Sequence, residues 1–217
     1  PNWYASFLAK KLNSSLVTTP HGTLVPAMLA RSSLKKKLAW VFFDKRLIRR
    51  ADVVHALSPA ERHAMEYKIS QYTDNIRVVP NGVHMGKNET KLTEDSGGKL
   101  LFLSRVAPIK GVIQLLEAWL RITPRFPNWE LRIVGPIDAS IEHHVNALCK
   151  STDSVTLTGP IYHEERWREF RNADAFILPT LGEGLPTVLL EAAAHKLPVI
   201  TTKEANFDEL FESGGSI

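Results

Sequence analysis

Two small groups of residues equip this chain for chemistry. In the first, Arg105 and Lys110 bracket the stretch RVAPIKG, where Pro108 stiffens the loop and Gly111 permits close backbone approach. Two cations beside a helix start suit a phosphate, because the helix adds free N–H groups and the positive end of its dipole. Two solvated loop charges are the plainer alternative, since that is the ordinary state of Lys and Arg. In the second group, LPTLGEGLPTVLLEAAAHKLPVI places Glu183 in a glycine-rich turn and Glu191 about two turns into the helix that follows. The backbone of Gly184, Leu185, Pro186 and Thr187 then offers helix-start donors to a diphosphate, while one carboxylate reaches a sugar and the other a pair of ribose hydroxyls. Here too a plainer alternative stands, with Glu183 capping a helix dipole and Glu191 exposed on the helix. Against it, Glu191 sits among Leu189, Leu190, Ala192 and Ala193.

Groups so placed need a scaffold that delivers loops to one edge. From residue 99 the sequence alternates strand and helix: KLLFLSRV, GVIQLLEAWLRI, WELRIVGP, IEHHVNALCK, SVTLTGP, EERWREFRNA, AFILPT, PTVLLEAAAH, PVITT. Such repetition predicts an α/β fold, a parallel sheet with helices on both faces. Ligands of these sheets bind beyond the carboxyl ends of the strands, where Arg105, Gly135-Pro136, Gly159-Pro160 and the run from Pro179 to Pro186 all fall.

Ahead of this half, residues 1–13 read as a helix with Trp3, Phe7, Leu8 and Leu12 on one stripe, and SLVTTP as a short strand ending at Pro20-His21-Gly22. Leu34 to Ala51 reads as a basic amphipathic helix. A strand DVVHALS, a helix opened by Ser58-Pro59 with Glu61 three residues after the cap, and a strand IRVVPNGV follow. The polar stretch between Met85 and Lys99 predicts a linker. The expected organisation is a first domain over 1–86, a linker over 87–98 and a second domain over 99–217. The chain opens without Met and stops at Gly214-Gly215-Ser216-Ile217, which reads as a fragment at both ends.

Composition narrows the function classes. With 217 residues and 44% apolar content the chain supports a real core. A net charge of +4 is too small to argue for nucleic acid, and none is expected as a partner. The single cysteine, Cys149, cannot form an internal disulfide, so a reducing, cytoplasmic setting is expected. No apolar run approaches the roughly 18 to 20 residues of a membrane span.

EGLPTVLLE, with seven residues between its acids, resembles the E-x(7)-E motif of the retaining glycosyltransferase family 4, and SRVAPIKG resembles that family's phosphate loop. TPHG, ADVVHALSPAE, VVPNGV, LRIVGP, LTGP and NADAFILPT follow the family's order along nearly the whole chain. The resemblance implies a GT-B fold: two Rossmann-like domains, the acceptor on the N-terminal side and a nucleotide-sugar on the C-terminal side, with the first domain incomplete here. It implies that Arg105 and Lys110 hold the donor diphosphate, Glu183 the transferred sugar and Glu191 the ribose, with Gly184 to Thr187 giving backbone contacts. Ile161 and Tyr162 would cradle the base, Gly135 would line the donor site, and His21 with Gly22 would lie near the reacting sugar. A histidine such as His21 at a strand end is otherwise more often a satisfied core residue. Lys196 departs from the family's usual Gly, at a cost of roughly 1 to 2 kcal/mol if it is left-handed.

The expected activity is transfer of a sugar to a glycan or polyprenyl-linked acceptor with retention of anomeric configuration. No Asp-x-Asp pair is present, so no metal and no other cofactor is expected, the cations and helix N-terminus serving instead. The segment 35–50, with Trp40, Phe42 and Phe43 among its basic residues, could lie on an anionic membrane; alternatively its aromatic stripe is core and its basic face solvated. A sugar-nucleotide epimerase, a phosphorylase or a degenerate transferase kept as a binding partner is the competing reading. A NAD-dependent dehydrogenase is disfavoured, because Ser104-Arg105 stands where G-x-G-x-x-G would follow the first strand of the regular half.

Overall fold

A computed structural model describes residues 2–21, 44–69, 73–83 and 97–207. Two compact units result: residues 1–81 together with 182–185, and residues 82–181 together with 186–217.

In the first unit, α1 (Asn2–Lys11) leads to β1 (Val17–Thr18), then α2 (Lys45–Arg50), β2 (Val53–Ala56), α3 (Pro59–Lys68) and β3 (Ile76–Val78). The three strands pair in parallel in the order β1-β2-β3. Val54, Ala56, Met65, Ile69 and Ile76 form the core with Ile48 and Ala51 at the end of α2. The apolar stripe of α1 is not part of it: Phe7, Leu8 and Leu12 are exposed among the described residues, while Ser6 is buried. The helix start at Ser58 forms as the sequence predicts, with Ser58 Oγ accepting from Glu61 N–H at 3.1 Å and Pro59 in the first turn. Glu61 itself is fully buried and reaches back one residue further than a capping box does, accepting from Leu57 N–H at 2.7 Å.

The second unit runs β4 (Gly98–Leu103), α4 (Val112–Ile122), β5 (Trp129–Val134), α5 (Glu142–Cys149), β6 (Val155–Gly159), α6 (Glu164–Asn172), β7 (Ala175–Leu178), α7 (Thr187–Ala194) and β8 (Val199–Thr201). Its sheet is parallel throughout, in the order β6-β5-β4-β7-β8. The central strand β4 buries Leu100, Leu101 and Phe102 in succession, as a strand covered on both faces must. On α4, Val112, Leu115, Leu116 and Trp119 are buried at helical spacing, and Trp119 Nε1 donates to Ser154 Oγ at 2.9 Å, so the indole enters the core without an orphaned N–H.

Helix α7 closes with Lys196 at φ 60°, where Lys196 N–H bonds Ala193 O and Leu197 N–H bonds Ala192 O. This is a left-handed helix stop built with a side chain that the conformation disfavours. Lys196→Gly is therefore expected to raise stability by about 1 kcal/mol in urea unfolding, with no change in the denaturant slope. An unchanged or lower midpoint would mean that the lysine stem offsets its backbone cost.

Candidate functional site

Sheet order places the site. The chain leaves β4 for β5 on one side and later returns to set β7 on the other, so the crevice between the carboxyl ends of β4 and β7 is the point where a doubly wound sheet takes its ligands. The loops after β4, β5, β6 and β7 carry Arg105, Gly135, Ile161 with Tyr162, and Pro179 onward. Helices α4 and α7 both begin at this edge.

Backbone bonds fasten these loops to one another. Val106 N–H donates to Pro136 O at 2.9 Å and Gly135 N–H to Gly159 O at 2.9 Å. Leu181 N–H and Thr180 Oγ1 both donate to Ile109 O, at 2.8 and 3.1 Å, which docks the turn Pro108–Lys110 onto the extension of β7. Gly111 ends that turn at φ 68°, and a Cβ there would stand 1.9 Å from Pro179 O. At Gly135, φ is 143° and a Cβ would stand 1.9 Å from Ser104 O. Both glycines are required by close packing of backbone on backbone as well as by conformation.

On this edge Arg105 is exposed and Lys110 is half-buried. Tyr162 is 67% exposed in the turn after β6, and the next residue, His163, holds φ at 52° just before α6. A non-glycine residue in that region is strained, and such strain persists only where its surroundings hold it. Pro186 caps α7, so of the four backbone positions expected to offer donors it has no N–H to give. Thr187 opens the helix, exposed. Glu191 is the fifth residue of α7, little more than one turn in rather than two, because Pro186 is the extended N-cap and the helix proper opens at Thr187.

Glu191 is buried, with Arg166 Nη2 of α6 donating to its Oε2. Burial pushes its carboxyl above the usual carboxylate range and the Arg166 guanidinium pulls it back. Arg166 is not legible in the sequence as a site residue: it lies 25 residues from Glu191 on another helix, and no local spacing signals the pair.

The remaining expected residues fall in the first unit or outside the description. Glu183, Gly184 and Leu185 belong to the first unit, in which Ser58 Oγ donates to Gly184 O at 3.2 Å. His21 follows β1, exposed, at φ 51°. Gly22 lies outside the described residues. A cleft of about 240 Å³ in the second unit, lined by Lys99, Glu130, Arg132 and Glu169, sits at the opposite, amino-terminal end of the strands, where Arg132 and Glu169 form a two-pronged ion pair.

Residues 97–216 match the family described as Glycosyl transferases group 1, and residues 1–82 match the Glycosyl transferase 4-like domain. The chain belongs to the glycosyl transferases group 1 family. Among curated relatives of this family member, D-inositol 3-phosphate glycosyltransferase of Pseudarthrobacter chlorophenolicus is 31% identical over 144 residues, 60% of this chain and 34% of that one. Lipopolysaccharide core biosynthesis mannosyltransferase LpsB of Rhizobium meliloti is 27% identical over 211 residues, 88% of this chain and 59% of that one. The chain thus spans less than two thirds of the length of these relatives. Among solved structures, Anabaena HepE in complex with UDP and glucose superimposes with a TM-score of 0.77 at 19% identity, covering 95% of this chain and 57% of that one. The fold is α/β of the GT-B type, as the resemblance implied. Among the described residues, no helix is long and apolar enough to cross a membrane.

Proposed function

We propose that the protein is a retaining glycosyltransferase that moves a sugar from a nucleotide-diphosphate sugar to a glycan or lipid-linked oligosaccharide, in polysaccharide or glycoconjugate biosynthesis. The observation that carries this reading is the cationic loop Arg105–Lys110 fastened at the β4/β7 crevice of a unit that also buries the acid Glu191. The family of the chain and the UDP in the HepE structure support a nucleoside diphosphate donor.

In this reading Arg105 and Lys110 bind the diphosphate, with the amide of Thr187 at the start of α7 and the backbone of Gly184 and Leu185. Glu191 accepts from the ribose hydroxyls, Ile161 and Tyr162 hold the base, Gly135 lets the chain pass close to the donor, and Glu183 binds the transferred sugar. His21 and Gly22 serve the reacting sugar from the first domain. The anomeric C–O bond breaks with its electron pair passing to the departing phosphate oxygen. The acceptor hydroxyl forms the new bond on the same face, and its proton passes to that phosphate. Charge therefore grows where fixed cations and N–H groups are aimed, which is the arrangement that lowers such a barrier without a metal.

Thermal shift of the intact protein against a panel of nucleotide-sugars tests the reading. One donor at 100 times its Kd is expected to stabilise the fold by about 2.7 kcal/mol. No stabilisation by any nucleotide-sugar or nucleoside diphosphate at millimolar concentration would refute it.

The segment 35–50 is proposed to rest on an anionic membrane at the cytoplasmic face. Residues 35–43 lie outside the described residues. In α2, Leu47 and Ile48 are buried while Lys45, Arg46, Arg49 and Arg50 face outward, which favours contact through charge over insertion of an apolar face. Salt-sensitive sedimentation with anionic vesicles is the expected result, and its absence leaves those residues a solvated face.

A further inference from the structure

Arg166 is an unusual residue to find against α7. The side chain is half-buried, its Nε is buried with no hydrogen-bond partner among the described residues, and its guanidinium lies 5.5 Å from the Trp167 ring. Its Nη2 is committed to Oε2 of Glu191, and among the described residues no bond is made to Oε1. Stability does not explain the pair. An ion pair between a buried carboxyl and a half-buried guanidinium is generally little more stabilising than apolar side chains of the same volume, and here Arg166 Nε is also left without a partner among the described residues. What the pair does accomplish is chemical. The guanidinium opposes the push of burial toward the neutral acid and fixes the carboxylate's rotation, so that Oε2 is occupied while Oε1 keeps its accepting capacity. The titratable neighbour that caps the end of α7, His195, is turned elsewhere: its Nδ1 bonds the Glu191 carbonyl at 2.9 Å and its ring stacks on Trp167 and Phe170.

We propose that Arg166 is a positioning residue that holds the Glu191 carboxyl oriented to receive the ribose hydroxyls of the donor, and so sets discrimination between ribose and deoxyribose. The inference rests on the assignment of Glu191 to the ribose. It places the guanidinium in the donor site without contact to the reacting atoms.

The test uses the intact protein and calorimetric titration with whichever of UDP, GDP and ADP gives the largest thermal shift, alongside its 2′-deoxy counterpart. The unsubstituted protein is expected to bind the ribose form about tenfold tighter, the difference made by hydrogen bonds to a charged acceptor. Arg166→Leu is expected to bring that ratio to about twofold or less through loss of ribose-form affinity, with deoxy-form affinity unchanged. Arg166→Lys restores most of the ratio. With the full donor the same loss falls on KM and leaves kcat nearly as it was, since a contact made equally in ground and transition states changes binding alone. Glu191→Gln abolishes the preference by itself, and adding Arg166→Leu to it changes nothing further. If Arg166→Leu does not fold, Arg166→Gln carries the same comparison. A protein that never distinguishes ribose from deoxyribose refutes the assignment of Glu191 and this inference with it. A preference that survives Arg166→Leu refutes the role of Arg166 alone.

Discussion

Arg105→Ala is expected to lower kcat/KM for the donor by about 10² to 10³, equivalent to about 3 to 4 kcal/mol of transition-state stabilisation, with little change in thermal midpoint. The stability half of this expectation follows from exposure: the Arg105 side chain stands outside the core, while its neighbours Val106 and Ala107 are buried and keep the loop in place. The kinetic half follows from where charge develops, because the departing diphosphate is more negative in the transition state than in the bound donor. The loss should therefore fall mainly on kcat, and Arg105→Lys should recover part of it, since a point charge replaces a planar fork. Steady-state release of nucleoside diphosphate by the intact protein measures both. Unchanged kcat/KM in Arg105→Ala would return this arginine to the status of a solvated loop charge.

The alternation of strand and helix was legible in the sequence because a parallel sheet is buried on both faces. Leu100-Leu101-Phe102 is a continuous apolar run for that reason, and α4 shows its helical spacing because only one of its faces meets the sheet. Local chemistry was legible too, as with Ser58 and Glu61 at the start of α3. The ties between loops were not. Nothing in RVAPIKG announces that Ile109 O takes two donors from residues 180 and 181, or that Arg166 meets Glu191, since these contacts join distant residues through the crossover topology. The apolar stripe on α1 shows the converse limit: the spacing of Phe7, Leu8 and Leu12 is correct for a buried face, yet periodicity says nothing about what covers it.

Gly111→Ala is expected to cost about 3 kcal/mol of stability and to remove most activity with it. Two penalties act together. The backbone at φ 68° is left-handed, which costs a side-chain-bearing residue about 1 kcal/mol or more. The added Cβ would also stand 1.9 Å from Pro179 O, a backbone atom that cannot rotate away, and forcing extra volume into such a contact costs about 1 to 3 kcal/mol. Gly159 separates the two contributions, because it too is left-handed, at φ 74°, but a Cβ there meets nothing within 4 Å. Gly159→Ala should therefore lose only about 1 kcal/mol, and Gly159→Asn less, whereas Gly111→Asn should be as damaging as Gly111→Ala. Relief of the overlap requires either the Pro108–Lys110 turn or the β7 extension to move, and these are the segments that Ile109 O ties together. Lys110 is carried on that turn, so the residual activity of a folded Gly111→Ala protein should show a lowered kcat rather than normal turnover in a smaller active fraction. Urea unfolding and active-site titration distinguish these outcomes, and equal costs at positions 111 and 159 would show that the close approach to Pro179 is absent in solution.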